Sequence, residues 1–220
     1  MRLLASGRDA DVWALDDERV LRRYRDGRDM SREAEVMRHA ARHGFPVPAV
    51  LRTEPGGGMV VERLYGPTML AALLAGTLTA AEGGALLGEL LVRLGPIPAG
   101  PTGEAGSLLH LDLHPDNVIL TASGPVVVDW ANAAAGPSTL DVAMSALILA
   151  EVAVGDRPDV PAAAARDLLG ALLGVTGPAD PAQLDVALAH RAANRTLSRA
   201  EKDLLPAAVG LVRGVPGHNP

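Results

Sequence analysis

Two apolar runs with polar residues set among them constrain this chain more than anything else in it. They are Leu108-Leu109-His110-Leu111-Asp112-Leu113-His114-Pro115-Asp116-Asn117-Val118-Ile119-Leu120 and, soon after, Val126-Val127-Val128-Asp129-Trp130. Val118 to Leu120 and Val126 to Val128 read as short buried strands, being aliphatic runs bounded by turn residues and too short for helices. Between them, Thr121-Ala122-Ser123-Gly124-Pro125 has the composition of a hairpin turn. A hairpin sets Asn117, at the start of one strand, beside Asp129, at the end of the other. Asp112 lies on the loop leading in. Two carboxylates and an amide therefore converge on one edge of a small sheet.

That convergence suits a hard cation. Magnesium takes oxygen ligands and usually needs only one or two carboxylates plus substrate phosphates. Asn117 and Asp129 supply such oxygens, leaving Asp112 to accept a proton from a hydroxyl nucleophile. The order H-x-D-x-x-x-x-N, then a hairpin and a further Asp, is the catalytic arrangement of protein kinases. His110-Leu111-Asp112-Leu113-His114-Pro115-Asp116-Asn117 most resembles the H-G-D-L-H-P-x-N loop of aminoglycoside phosphotransferases and choline-kinase-like small-molecule kinases. Asp129-Trp130 resembles their metal-binding D-W or D-F pair. Leu111 departs from the pattern, standing where that family usually has Gly. The resemblance implies a two-lobed, protein-kinase-like α+β fold, with a five-stranded antiparallel N-terminal lobe and one helix over residues 1–64, and a mainly helical lobe over 65–220. It implies magnesium and ATP or GTP as cofactors and a small-molecule hydroxyl as acceptor.

Two other readings compete. A kinase-like protein that binds nucleotide but is catalytically weak or silent is motivated by the missing lysine described below. A metal-dependent hydrolase would use His110, Asp112 and His114, since alternate residues of a strand share a face. The apolar run followed by Pro115 fits a kinase loop better than a ligand-bearing strand.

The small lobe carries the rest of the expected nucleotide site. Leu3 to Ala5, Val12 to Leu15 and Val20 to Tyr24 read as strands, with Val47 to Leu51 and Met59 to Leu64 completing five. The loop holding Ser6 and Gly7 occupies the phosphate-cradling position, and its backbone N–H groups suit an anion. In the third strand Arg22 stands, by register, where a kinase has its lysine. The chain's single lysine, Lys202, lies far downstream. Arginine forks well onto phosphate but is longer than lysine and not interchangeable with it. Met30 to His43 reads as an amphipathic helix with Glu33 at the edge of the apolar stripe, so Glu33 rather than Glu35 is the expected partner of Arg22. Glu62-Arg63-Leu64 is the expected hinge, where backbone groups of Glu62 and Leu64 read the base.

Downstream, Thr79-Ala80-Ala81-Glu82 and Ser198-Arg199-Ala200-Glu201 are capping boxes that open helices. Ala131 to Pro137 reads as a flexible run, Asp141 as a structural residue opening a buried helix (in the resembled family an Asp at this place also braces the catalytic loop), and about 161–174 and 180–195 as further helices. Aminoglycoside kinases gather carboxylates in this region to hold a polycation; here Glu151, Asp156, Asp159 and Asp185 stand among Arg191, Arg195, Arg199 and Lys202, a mixture that reads as a solvated helix face and weakens an aminoglycoside as acceptor. The formal charge of −6 and the lack of a basic stripe argue against nucleic acid as partner. With zero cysteine there is no thiolate chemistry. The early charges at Arg2, Arg8 and Asp9 do not suit a signal peptide, and Leu140 to Val154 is short for a membrane span. A cytoplasmic enzyme with no membrane partner is expected.

Overall fold

The computed structural model describes residues 1–7, 9–102, 105–155 and 160–215. Arg8, Asp156 and Asp159, named above, lie outside the described residues. Strands β1 (Arg2–Ser6), β2 (Ala10–Ala14) and β3 (Arg19–Tyr24) are followed by helix α1 (Ser31–Arg42) and strands β4 (Val50–Thr53) and β5 (Met59–Glu62). All neighbours pair antiparallel, in the order β1-β2-β3-β5-β4. The alternation of β3 buries Val20 against the core and sets Arg22 opposite Val12 on one side and Met59 on the other. Helix α1 covers the sheet with Ala34, Met37 and Ala40, and Glu33 is buried with them. The fourth strand begins at Val50 rather than Val47. Pro46 and Pro48 lack the N–H groups a ladder needs, and the Pro46 carbonyl instead accepts from Val127 N–H at 2.8 Å.

The remaining chain is mostly helical. A short helix α2 (Met69–Leu74), capped by Thr68, precedes α3 (Ala80–Leu94), whose Thr79–Glu82 capping box is formed as expected. Strand β6 (Ser107–Leu109) leads through a 3-10 turn at Pro115–Asn117 into the hairpin β7 (Val118–Thr121) and β8 (Gly124–Val127). The run after Trp130 is not free: β9 (Ala134–Gly136) pairs with β6, locking the chain on leaving the hairpin to the chain entering it. Four helices follow, α4 (Ser138–Val154), α5 (Ala162–Thr176), α6 (Pro181–Ala193) and α7 (Arg199–Gly214). α4 is buried nearly all round because α5, α6 and α7 all pack on it. Among the described residues no helix is long and apolar enough to cross a membrane.

α3 and α5 make the most extensive helix pairing, and two glycines explain how close they come. A Cβ on Gly84 would fall inside the Leu168 carbonyl, and one on Gly88 would press on Val175 at 2.7 Å. Gly174, on α5, has open space around the same position. Alanine gains about 1 kcal/mol over glycine in a helix interior, whereas forcing packed backbones apart costs about 1–3 kcal/mol. Gly84→Ala should therefore lower the melting temperature by a few degrees while Gly174→Ala raises it. Calorimetry on the two variants checks both signs.

Candidate active site

The catalytic stretch and the small sheet meet through one buried carboxylate. Glu33, 3% exposed at its side chain, takes an ion pair from Arg22, a hydrogen bond from Tyr24 Oη at 2.5 Å and one from the Trp130 backbone N–H at 3.1 Å. The other arm of the Arg22 fork, Nη2, reaches Asp129 Oδ1 at 2.5 Å. Arg22 thus bridges α1 to Asp129, two residues past β8. Glu35 is exposed, as its position off the apolar stripe requires. Burial, then the charge of Glu33, pushes the Tyr24 hydroxyl well above its usual range, so it stays a donor. The sequence reading missed Tyr24, although it shares a strand face with Arg22 by simple alternation.

Around Asp112 the loop is tied down from several sides. Asn117 Nδ2 donates to the Asp112 carbonyl at 2.9 Å and lies 3.2 Å from His114 Nε2. The bond to the Asp112 carbonyl uses the amide nitrogen, and Oδ1 bonds no described residue. The Asn117 carbonyl accepts from Val128 N–H at 3.0 Å, so the hairpin places Asn117 next to the Asp129 backbone. Asp129 keeps its second oxygen clear of Arg22, and its side chain is 43% exposed. An amide oxygen and a carboxylate oxygen, by their chemistry, are a donor set that fits magnesium. The Asp112 carboxylate lies 3.9 Å from His114 Nε2 and 3.4 Å from Asn132 Nδ2. Burial raises its pKa, His114 and Arg191 pull it back down, and Asp129 pushes it up again. Asn132 and Arg191 were not singled out for this site from the sequence. Arg191 comes from α6, and no local pattern links it to a loop so far away in the chain.

Backbone strain marks the same place. Leu111 (φ 60°) and Asp129 (φ 64°) are the non-glycine residues with positive φ among the described residues. Asp visits this region readily, whereas for Leu it costs about 1–2 kcal/mol. The departure from glycine at position 111 therefore falls where glycine would matter most. Asp141 holds the strained turn: its Oδ2 and Oδ1 accept from the N–H groups of His110 and Leu111, each at 2.7 Å. It serves the catalytic loop rather than its own helix terminus.

His110 is fully buried, packs edge-on against Trp130 and uses both ring nitrogens. Nδ1 accepts from Asp112 N–H at 3.2 Å, and Nε2 donates to the Val128 carbonyl at 3.1 Å. Neither is left for a metal, which disfavours the hydrolase reading. Most of the other expected nucleotide-site residues are bonded to other residues of the N-terminal segment. Ser6 Oγ donates to Asp11 at 2.6 Å and accepts from Arg25, and Gly7 N–H bonds the Ala10 carbonyl at 2.9 Å. Glu62 N–H is spent on the Ala49 carbonyl at 2.9 Å, while Leu64 N–H bonds no described residue.

A model of the phosphotransferase enzyme family matches residues 1–103 and 95–186. Among curated proteins none matches the chain in sequence. Among solved structures, a choline/ethanolamine kinase family protein from Mesorhizobium loti superposes with a TM-score of 0.62 at 18% identity, covering 98% of this chain and 89% of its own. An ADP-bound aminoglycoside phosphotransferase gives 0.59 at 15% identity over 97% and 92%. A spectinomycin phosphotransferase in complex with ADP and spectinomycin gives 0.53 at 10% over 97% and 92%. The two-lobed kinase-like fold expected from the catalytic loop is therefore the fold observed.

The two buried groups of the loop titrate in opposite senses. Burial lowers His110 from 6.5 to about 4, so the unfolded chain binds the extra proton and this contribution to stability grows as pH rises through 4 to 6.5. Burial raises Asp141 from 3.8 to about 6, so the folded chain binds the extra proton and this contribution shrinks as pH rises through the same window. Each is on the order of 3 kcal/mol, and in the wild type they largely cancel. Asp141→Asn removes one slope. Relative to wild type its unfolding free energy should rise by roughly 2–3 kcal/mol between pH 4 and pH 6.5, as read from urea unfolding. Parallel profiles would show that Asp141 does not titrate there.

Proposed function

The chain belongs to the phosphotransferase enzyme family, and from that premise we propose that it is a small-molecule kinase, moving the γ-phosphoryl group of ATP or GTP to an acceptor hydroxyl. The observation that carries this is the junction of Arg22, Glu33 and Asp129 with the Asn117–Asp112 loop: groups for phosphate, metal and proton are bonded into one edge. Nucleotides in related folds support the donor, since one neighbour was solved with ADP and another with GDP. In this reading Asp112 is the base. The acceptor oxygen bonds to the γ-phosphorus, the bond from that phosphorus to the bridging oxygen breaks, and the nucleoside diphosphate leaves with the electron pair. The hydroxyl proton passes to Asp112, which burial makes a better base than a solvated carboxylate. Asn117 and Asp129 hold magnesium, which neutralises charge on the phosphates.

Arg22 takes the lysine's part. Its fork lets one side chain contact Glu33 and Asp129 together, which a single ammonium does less well. The Ser6–Gly7 turn covers the phosphates, and the free N–H of Leu64 beside Glu62 faces the base. The lobes divide after Leu64, and the enzyme works in the cytoplasm. Positioning and charge neutralisation do the catalysis, with no covalent intermediate.

Thermal unfolding with Mg-ATP should show a stabilisation of roughly 2.7 kcal/mol at a hundredfold excess over Kd, about 5–10 °C for a chain of this size. Asp129→Asn should lose the magnesium-dependent part. Asp112→Asn should keep it and lose phosphoryl transfer by roughly 10²–10⁴-fold. A magnesium-dependent shift without transfer to any hydroxyl acceptor would instead mark a silent nucleotide-binding relative.

A further inference from the structure

The guanidinium of Arg22 is shared unevenly. One arm, Nη1, is paired with Glu33, and the other, Nη2, lies 2.5 Å from Asp129 Oδ1. The Arg22 side chain is 13% exposed, against 3% for Glu33 and 43% for Asp129. The Glu33 end is therefore held inside the fold, whereas the Asp129 end meets solvent, where an ion pair is screened and costs little to exchange. Tyr24 Oη and the Trp130 N–H also bond Glu33, so that carboxylate stays placed whether or not Arg22 keeps its second contact. Among the described residues the Asp129 carboxylate is bonded by Arg22 alone.

Asp129 is thus a carboxylate with a cation already on one oxygen. Asn117, the other expected metal ligand, is a neutral amide. Affinity for a hard divalent cation rises with the charge of its donor set, and a guanidinium on the only charged donor works against it. We propose that the Arg22–Asp129 contact is a latch that makes metal binding conditional on nucleotide. Arg22 gives its Nη2 arm to a phosphate oxygen, which suits its fork as well as a carboxylate does, while Nη1 stays on Glu33, and Asp129 then turns its full charge to the cation. The inference rests on the kinase reading above and concerns the order in which that site assembles. A lysine at position 22 would not form the latch, because a single ammonium drawn to Glu33 leaves Asp129 largely uncompensated. By linkage, nucleotide and metal raise each other's affinity by the same factor. Arg22 acts on the metal through Asp129 and is, in this respect, a positioning residue.

The test uses the full chain, with Mn²⁺ as the probe of the magnesium site, unbound Mn²⁺ read by electron paramagnetic resonance, and ADP as the nucleotide. Wild type should bind Mn²⁺ roughly tenfold more tightly when saturated with ADP than without nucleotide, after allowance for the ion that ADP holds in solution. Arg22→Lys should bind Mn²⁺ alone roughly threefold more tightly than wild type. Glu33→Gln leaves the whole Arg22 charge to Asp129 and keeps an amide to meet Tyr24 and Trp130, so it should bind Mn²⁺ alone roughly threefold more weakly. Asp129→Asn is the blank. The opposite signs discriminate, because a merely structural contact would make both variants melt lower and bind less Mn²⁺. Melting curves show which variants are folded, and wild type with Arg22→Lys decides the matter if Glu33→Gln is not. Equal Mn²⁺ affinity with and without ADP, or Arg22→Lys binding Mn²⁺ no better than wild type, overturns the latch and leaves the kinase reading standing. Failure of the wild type to bind ADP, with or without Mn²⁺, brings down the kinase reading and the latch with it.

Discussion

Glu33 is the point on which the rest of the structure depends. A carboxylate this buried is costly unless its oxygens are paired and bonded, and here three groups from two parts of the chain do so: Arg22 and Tyr24 of β3 and the backbone of Trp130. Because Arg22 also holds Asp129, one guanidinium relates the small sheet to the hairpin on which Asn117 begins. Truncating Glu33 would leave the Arg22 charge buried with one partner fewer, and the small sheet would lose its reference to Asp129.

The catalytic loop is held by the opposite device, strain fixed by surrounding bonds. A leucine at positive φ persists only where its neighbours over-determine it. Asp141 grips the consecutive N–H groups of His110 and Leu111, and His110 bonds the Asp112 backbone and the Val128 carbonyl. These bonds are satisfied by a neutral imidazole of one tautomer. A second proton on His110 would turn the nitrogen facing Asp112 N–H from acceptor to donor. The position of Asp112 is thus tied to the protonation state of a histidine that touches no reacting atom.

The hairpin was legible because each local signal agreed: aliphatic runs of strand length, a turn between them, and polar residues at their ends. Glu33 was separable from Glu35 by helical phase alone, and both capping boxes formed as written. Where local signals conflicted, the reading slipped. Ala131 to Pro137 looked like a flexible link, yet Ala134–Gly136 pairs with β6, a contact whose partner is distant in sequence. Val47 looked like a strand start until the two prolines around it are weighed.

The sequence by itself determined the kinds of groups present and their local order: a carboxylate, an amide and a second carboxylate on a loop and hairpin, with an arginine in place of a lysine. Periodicity and turn chemistry act over a few residues, and these features are local. Only the tertiary structure decided which groups share a charge. That Arg22 grips two carboxylates and that Glu151 is spent on Arg191 follow from the packing of distant segments, as do the bonds by which Asp141 holds a loop thirty residues back, a bracing role that the family resemblance had implied. Ion pairs and buried hydrogen bonds depend on distance in space, and distance in space is set by the whole core at once.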